Sequence, residues 1–191
     1  MMEHLGRAYY VTMLSAAALH GALPQRPTTL QVATVMPLKG RELDRARLQF
    51  VRLKAANRRP SLDWDTPTGT IRVATPEVTL LDLAQYPDRG NGLNTVSSVT
   101  TAMVDDHLLR RRALTKLGRD YPVAAARRAG WLVEHASDLL DVDFDLDAMA
   151  AAARRKRDEP TPLDPNGGPL GPIDERWNLL LNAEPEQEPS G

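Results

Sequence analysis

The sequence predicts an α/β (α+β) fold: a small mixed β-sheet covered by helices, a helical C-terminal half and a short terminal strand. Three observations predict it. Residues 69–84, GTIRVATPEVTLLDLA, pass from the two-residue period of a strand to the period of a buried helix with no loop between. Two upstream segments, residues 30–35 and 47–53, alternate apolar and polar positions over strand-like lengths. Between Leu93 and Arg157 apolar residues recur mostly at three- and four-residue spacing, the mark of helices laid on a core.

Taken in order, residues 9–19 predict an amphipathic helix, with Tyr10, Leu14, Ala17 and Ala18 on one side and Gly21 as its stop. Residues 22–28 hold two prolines and read as a loop. The strand at 30–35 follows, then a turn at 37–40 and the strand at 47–53, whose faces are of mixed polarity. Residues 57–68 are polar, contain two prolines and predict an exposed loop. The strand at 69–73 leads into a helix at 76–86. Thr75 is placed to cap it, Pro76 suits its first position, and Glu77 lies near the positive end of its dipole. Val78, Leu81 and Ala84, widened by Leu80 and Leu83, form its buried stripe.

A turn at 88–92 precedes predicted helices at 93–109, 110–117, 122–132 and 146–157. Val96, Val99, Met103 and Val104 face inward in the first of these. Residues 160–172 are rich in Pro and Gly, an arm rather than an element. In RWNLLLN, Trp177, Leu179 and Leu181 share one face of a short strand. The predicted organisation is an α/β domain over 1–158, an arm and terminal strand packing back on it over 159–183, and a disordered acidic tail over 184–191.

The chain has 191 residues, 42% of them hydrophobic and 5% aromatic, so its core rests on Leu, Val and Ala. Net charge is −1, which makes no global case for a polyanionic partner, but the charge is uneven. Residues 39–59 carry eight basic side chains against two acidic, and residues 107–130 carry seven against one. Such asymmetry marks either an anionic partner surface or the solvated faces of an Arg-rich protein. The absence of cysteine excludes disulfides, thiolate zinc sites and cysteine nucleophiles. No apolar run approaches the roughly 18 residues of a membrane span, and MMEHLGRAYY is not an export signal, so a cytoplasmic address is expected.

Motifs for chemistry are missing. The four histidines, His4, His20, His107 and His135, contain no i, i+4 pair. The Asp141, Asp143, Asp145, Asp147 alternation lacks the Gly and Glu of a calcium-binding helix–loop–helix, having Leu146 and Ala152 there instead. Phosphate-cradling Gly-rich loops and the Gly-x-Ser-x-Gly elbow are absent. None of the four lysines has an acidic residue two positions before it, as a restriction-type nuclease site requires, and no Gly-Ser precedes an Asp-x-Asp pair. No catalytic residue, metal ligand or cofactor is therefore assigned, and the chain is not expected to be an enzyme. Residues 114–134 also read as helix, turn, helix, with Arg127 and Arg128 on an exposed second helix, which keeps a DNA-binding regulator as the alternative. A degenerate nuclease-like enzyme is the remaining one.

Tyr9-Tyr10 leading into LSAAALHG, then QVAT, RLQFVR, GTIRVATPEVTLLDL, RRAGWLVE and RWNLLLN, in that order, resemble the AbiEi-type antitoxins of bacterial abortive-infection toxin–antitoxin pairs. The resemblance spans about Tyr9 to Asn182 and places Tyr9, Tyr10, His20, Thr75, Pro76, Trp177 and Asn182 in family motifs. It implies an antitoxin of an AbiE-type (type IV) phage-defence system that neutralises a nucleotidyltransferase-like, AbiEii-type toxin, directly or indirectly. Members typically begin with a DNA-binding winged helix, and this chain starts at what resembles the second domain. Neutralisation is thus the expectation, and DNA binding is not. Arg45, Arg47, Arg52, Lys54, Arg110, Arg111 and Arg112 are the candidate partner-binding residues. For Tyr10, His20 and Trp177 packing is the better reading than partner contact.

Overall fold

The computed structural model describes residues 9–43, 46–67, 69–154 and 159–186. The chain divides into two compact units, residues 1–79 and 80–191, the boundary falling inside one helix.

The first unit is built on a six-stranded mixed sheet of order β3-β4-β2-β1-β6-β5. Its strands are β1 (Tyr9–Val11), β2 (Thr29–Thr34), β3 (Arg41–Leu43), β4 (Ala46–Arg52), β5 (Ser61–Thr66) and β6 (Gly69–Ala74). β1 pairs antiparallel with β2 and parallel with β6. β2 and β4 run parallel from Thr29↔Arg47 to Thr34↔Arg52, while β3–β4 and β5–β6 are antiparallel pairs. Tyr10, Val32, Val51 and Val73 are buried.

Three expectations are corrected here. Residues 9–11 are a strand, and only α1 (Met13–Leu19) is helical. Tyr-Tyr-Val is a strong strand-forming triplet, and partners on both sides complete its hydrogen bonds. The step into α1 needs Met13 at φ 52°, a strained value for a residue with a side chain. Thr12 makes no side-chain cap. The Gln31 side-chain carbonyl on β2 instead accepts the Leu14 amide at 3.1 Å, and Ser15 Oγ accepts the Gln31 amide at 2.9 Å. Residues 57–68 are not all loop: β5 lies within them, flanked by Pro60 and Pro67, where missing amides cost an edge strand little. β3 was not foreseen, because three residues with two charged side chains carry no alternation to read.

The strand-to-helix passage is as predicted. α2 (Pro76–Gln85) begins at Pro76, and Thr75 Oγ1 accepts the Val78 amide at 3.4 Å.

The second unit is helical. After α2 and a 3₁₀ turn (Pro87–Gly90) come α3 (Leu93–Asp105), α4 (Arg111–Gly118), α5 (Val123–Leu140) and α6 (Asp147–Ala153). Val96, Val99, Met103, Leu132 and Val133 are buried in it. α5 runs eight residues beyond its expected end at Leu132, stopping where Asp141 turns left-handed at φ 54°. The polar run Glu134, His135, Ser137, Asp138 imitates a boundary, yet buried Ala136 continues the apolar stripe. α6 ends at Ala153, and the basic run after Arg154 lies outside the described residues. The terminal strand exists as β9 (Leu179–Leu180). It is the middle strand of a second sheet of order β7-β9-β8, with β7 (Thr161–Pro162) and β8 (Ile173–Asp174), and does not join the large sheet. The tail expected to be disordered lies mostly outside the described residues, although Pro185 is buried.

Candidate functional site

The basic residues singled out from the sequence resolve into two groups, one on each unit. On the first, Arg47 and Arg52 stand five residues apart at the ends of β4, a spacing that sends side chains to opposite faces of a regular strand. Both are exposed, as is Lys54 in the turn that follows. Arg47 is bonded to Glu42 Oε1 at 3.0 Å, a solvated pair of small worth. Arg45 lies outside the described residues. These cations share a strand and its exit rather than a single patch.

The group on the second unit is denser. α4 buries Leu114, Leu117 and Gly118 on one side. That spacing turns Arg112, Lys116 and Arg119 outward as an i, i+4, i+7 stripe, with Arg110 and Arg111 exposed at its start. Arg111 pairs with Asp145 Oδ2 at 2.9 Å. Arg112, Lys116 and Arg119 have no ion pair or hydrogen bond from their side chains among the described residues. A pocket of ≈ 380 Å³ opens here, with Thr115 and Ala148 in its lining and the α4 cations around it. Five cations against one carboxylate give this face a local excess of positive charge.

Beside it lies a second groove of ≈ 690 Å³, lined by Glu134, Asp138 and the Asp141–Asp147 stretch. Among the described residues no three His, Asp or Glu side chains converge closely enough to hold a metal. Arg176 enters this groove, bonded to Glu134 Oε1 at 2.7 Å and Asp147 Oδ1 at 2.8 Å. These bonds, to Asp147 first, raise its pKa above the ordinary arginine value.

The residues in family motifs are placed for packing and for tying elements together. Tyr9 and Tyr10 form β1. His20 Nε2 lies 2.7 Å from the Ala74 carbonyl, and its ring meets Trp64 edge to face, so it links the end of α1 to the end of β6. Thr75 and Pro76 start α2. Trp177 is fully buried, with its indole N–H donated to Glu134 Oε2. Asn182 clamps a loop: Oδ1 accepts the Asp164 amide, and Nδ2 donates to the carbonyls of Asp164 and Gly168, at 2.9–3.0 Å.

The exposed recognition helix expected at 114–134 is not there, because Arg127 and Arg128 are 1% and 6% exposed. Arg127 donates to the carbonyls of Ala153 and Glu159 and to Thr161 Oγ1. Arg128 donates to the carbonyls of Pro162 and Ala84. Burial lowers the Arg128 pKa, partly offset by Asp164 and Asp88, although an arginine stays charged at any ordinary pH. Five backbone or hydroxyl acceptors thus explain two cations inside a core, and they anchor the arm. The signal was present: in AAARRAGWLV the apolar residues on both sides leave no polar face for the pair to occupy. Asp82, buried and bonded by Tyr121 Oη at 2.8 Å, had no sequence signal, since its partner is 39 residues away.

Among the described residues no helix is long and apolar enough to cross a membrane. No curated protein matches the chain by sequence. A solved structure, the RV2827C protein from Mycobacterium tuberculosis, has the same fold with a TM-score of 0.61 at 16% identity. The match covers 93% of this chain and 64% of that one, so the chain spans less than two thirds of that protein's length. The model of the AbiEi antitoxin C-terminal domain matches residues 10–135, from β1 into α5. The chain therefore belongs to the AbiEi antitoxin C-terminal domain family.

Proposed function

We propose that this chain neutralises a nucleotidyltransferase-like toxin, the AbiEii-type partner of a type IV phage-defence pair, and that its exposed cations carry the neutralising contact. Membership of the antitoxin family supports an antitoxin role in an AbiE system and implies a toxin partner. The observation that carries the finer reading is the α4 face, where Arg112, Lys116 and Arg119 are exposed without partners among the described residues. A toxin that handles nucleotides offers acidic metal-binding carboxylates or an anionic substrate, and either answers such a face. Arg47, Arg52 and Lys54 supply a second, more dispersed set on the other unit.

Co-expression with the toxin of the same operon tests this by growth rescue. Reversing R111E/R112E/K116E is expected to weaken protection by about tenfold or more, and R47E/R52E/K54E by less. Circular dichroism checks that each variant is folded. Full protection by both triple variants discards the charged-contact reading.

A second reading rests on the same stripe: α4 holds nucleic acid through phosphates. A mobility shift on the DNA upstream of the operon, with a salt slope of roughly −3 to −4, would favour it. No shift at low salt would remove it.

A further inference from the structure

We propose that the chain self-associates head to tail, the loop of residues 164–173 of one copy seating Leu170 and Ile173 in the basic-rimmed pocket over α4 of a second copy. Leu170 is 84% exposed and Ile173 55%, two of the most exposed large apolar side chains among the described residues, three positions apart, Leu170 on the loop and Ile173 where the loop enters β8. The loop is held before any partner arrives. Asn182 clamps its start, the Leu181 amide donates to the Pro172 carbonyl at 2.8 Å, and Pro165, Pro169 and Pro172 limit its backbone. Gly171 is pressed so closely on the Leu181 carbonyl that a Cβ would stand 2.2 Å from that oxygen. An apolar tip already fixed in place loses little entropy on docking.

The charges around the tip choose the occupant. Asp174 and Glu175 follow it directly, and the one cation nearby in sequence, Arg176, is held by Glu134 and Asp147. The partner must therefore offer an apolar floor with a cationic rim. The α4 pocket does so: ≈ 380 Å³, with Ala148 and Thr115 in its lining, its one carboxylate, Asp145, already paired with Arg111, and Arg112, Lys116 and Arg119 around it without ion pairs among the described residues. The contact joins two different surfaces, so it generates an open or ring assembly rather than a two-fold dimer. It does not depend on the toxin reading, but it covers one of the two basic groups offered to the toxin above.

Sedimentation equilibrium of the full chain over about two decades of micromolar concentration tests it. The weight-average mass is expected to rise above the monomer value at low salt and to return to it at about 1 M salt. L170D/I173D and R112E/K116E should each abolish the rise. All four positions are exposed, so both variants should keep the wild-type circular dichroism and melting point. Mixing the two should restore a 1:1 pair, because the intact pocket of the first meets the intact tip of the second. A wild-type chain of monomer mass at every concentration overturns the proposal. Loss of toxin protection by L170D/I173D in such a monomer would assign the tip to the toxin instead. Self-association untouched by either variant overturns it as well.

Discussion

Gly130 lacks a side chain where Trp177 needs the space. A Cβ there would stand 2.0–2.5 Å from three atoms of the indole, and the indole belongs to the arm, not to a flexible surface chain. Gly130→Ala is expected to destabilise the fold by about 2–3 kcal/mol, as overpacking does, read by urea unfolding. An unchanged midpoint would mean the indole is free to move. Trp177→Ala should cost about 3–5 kcal/mol by cavity formation. Arg127 presents the opposite case, a buried charge whose hydrogen bonds justify it. Arg127→Met keeps the stem but strands the acceptors at Ala153, Glu159 and Thr161, and is expected to cost about 2–4 kcal/mol. A variant as stable as wild type would show that the arm is held without the bonds of Arg127. Thr75→Ala should cost less, about 0.5–1 kcal/mol, because its cap bond is long at 3.4 Å.

At the scale of elements, the arm is part of the second unit's core rather than an appendage. β9 pairs with both β7 and β8, Leu163 and Leu179 are buried, and Arg127 and Arg128 bind the arm's backbone. The family model stops at residue 135, inside α5 and before the arm. A chain ending at 135 removes the lid from the Gly130 slot and takes away the Ala153, Glu159 and Thr161 acceptors of Arg127 and the Pro162 acceptor of Arg128, leaving Arg128 the Ala84 carbonyl. It is expected to aggregate or to lose cooperative unfolding, read as the loss of a single melting transition in circular dichroism. Arg176 adds a pH argument with a definite sign. Its pKa is raised in the folded chain, so its stabilising effect is complete below the ordinary arginine value and fades only as pH climbs through the folded one. Because the pair is solvated, its worth is no more than about 1 kcal/mol. Arg176→Gln should therefore lower stability slightly and equally at pH 7 and pH 9. A loss that differs between these pH values would mean another group is coupled to it.

For the whole molecule, the near-zero net charge conceals a division of labour. Excess arginine serves two opposite ends: Arg127 and Arg128 work inside as hydrogen-bond donors, while the α4 stripe is left to solvent. Counting charge along the chain did not separate them, since both lie within the same basic stretch of residues 107–130. Much of the fold was nonetheless legible. The strand-to-helix switch at Thr75–Pro76 was readable because cap, proline and acidic first turn are local chemistry, as was the stripe of α3. The strands at 29–34 and 46–52 were readable because each is long enough to show its period. β1, β3 and β5 were less so, being short, charged or bounded by proline, and becoming strands only through neighbours distant in sequence.

What the amino-acid sequence determined by itself was the class of fold, the start of α2, the family motifs and the want of catalytic ones. All of these rest on spacing within a few turns or a few strand residues. The tertiary structure alone decided which arginines are buried, that Gly130 and Trp177 share one volume, that Gln31 completes the start of α1, and that the last strand lies in a sheet of its own. Most of those depend on groups well outside one another's local stretch of chain meeting at contact distance, and local propensity carries no information about such a meeting.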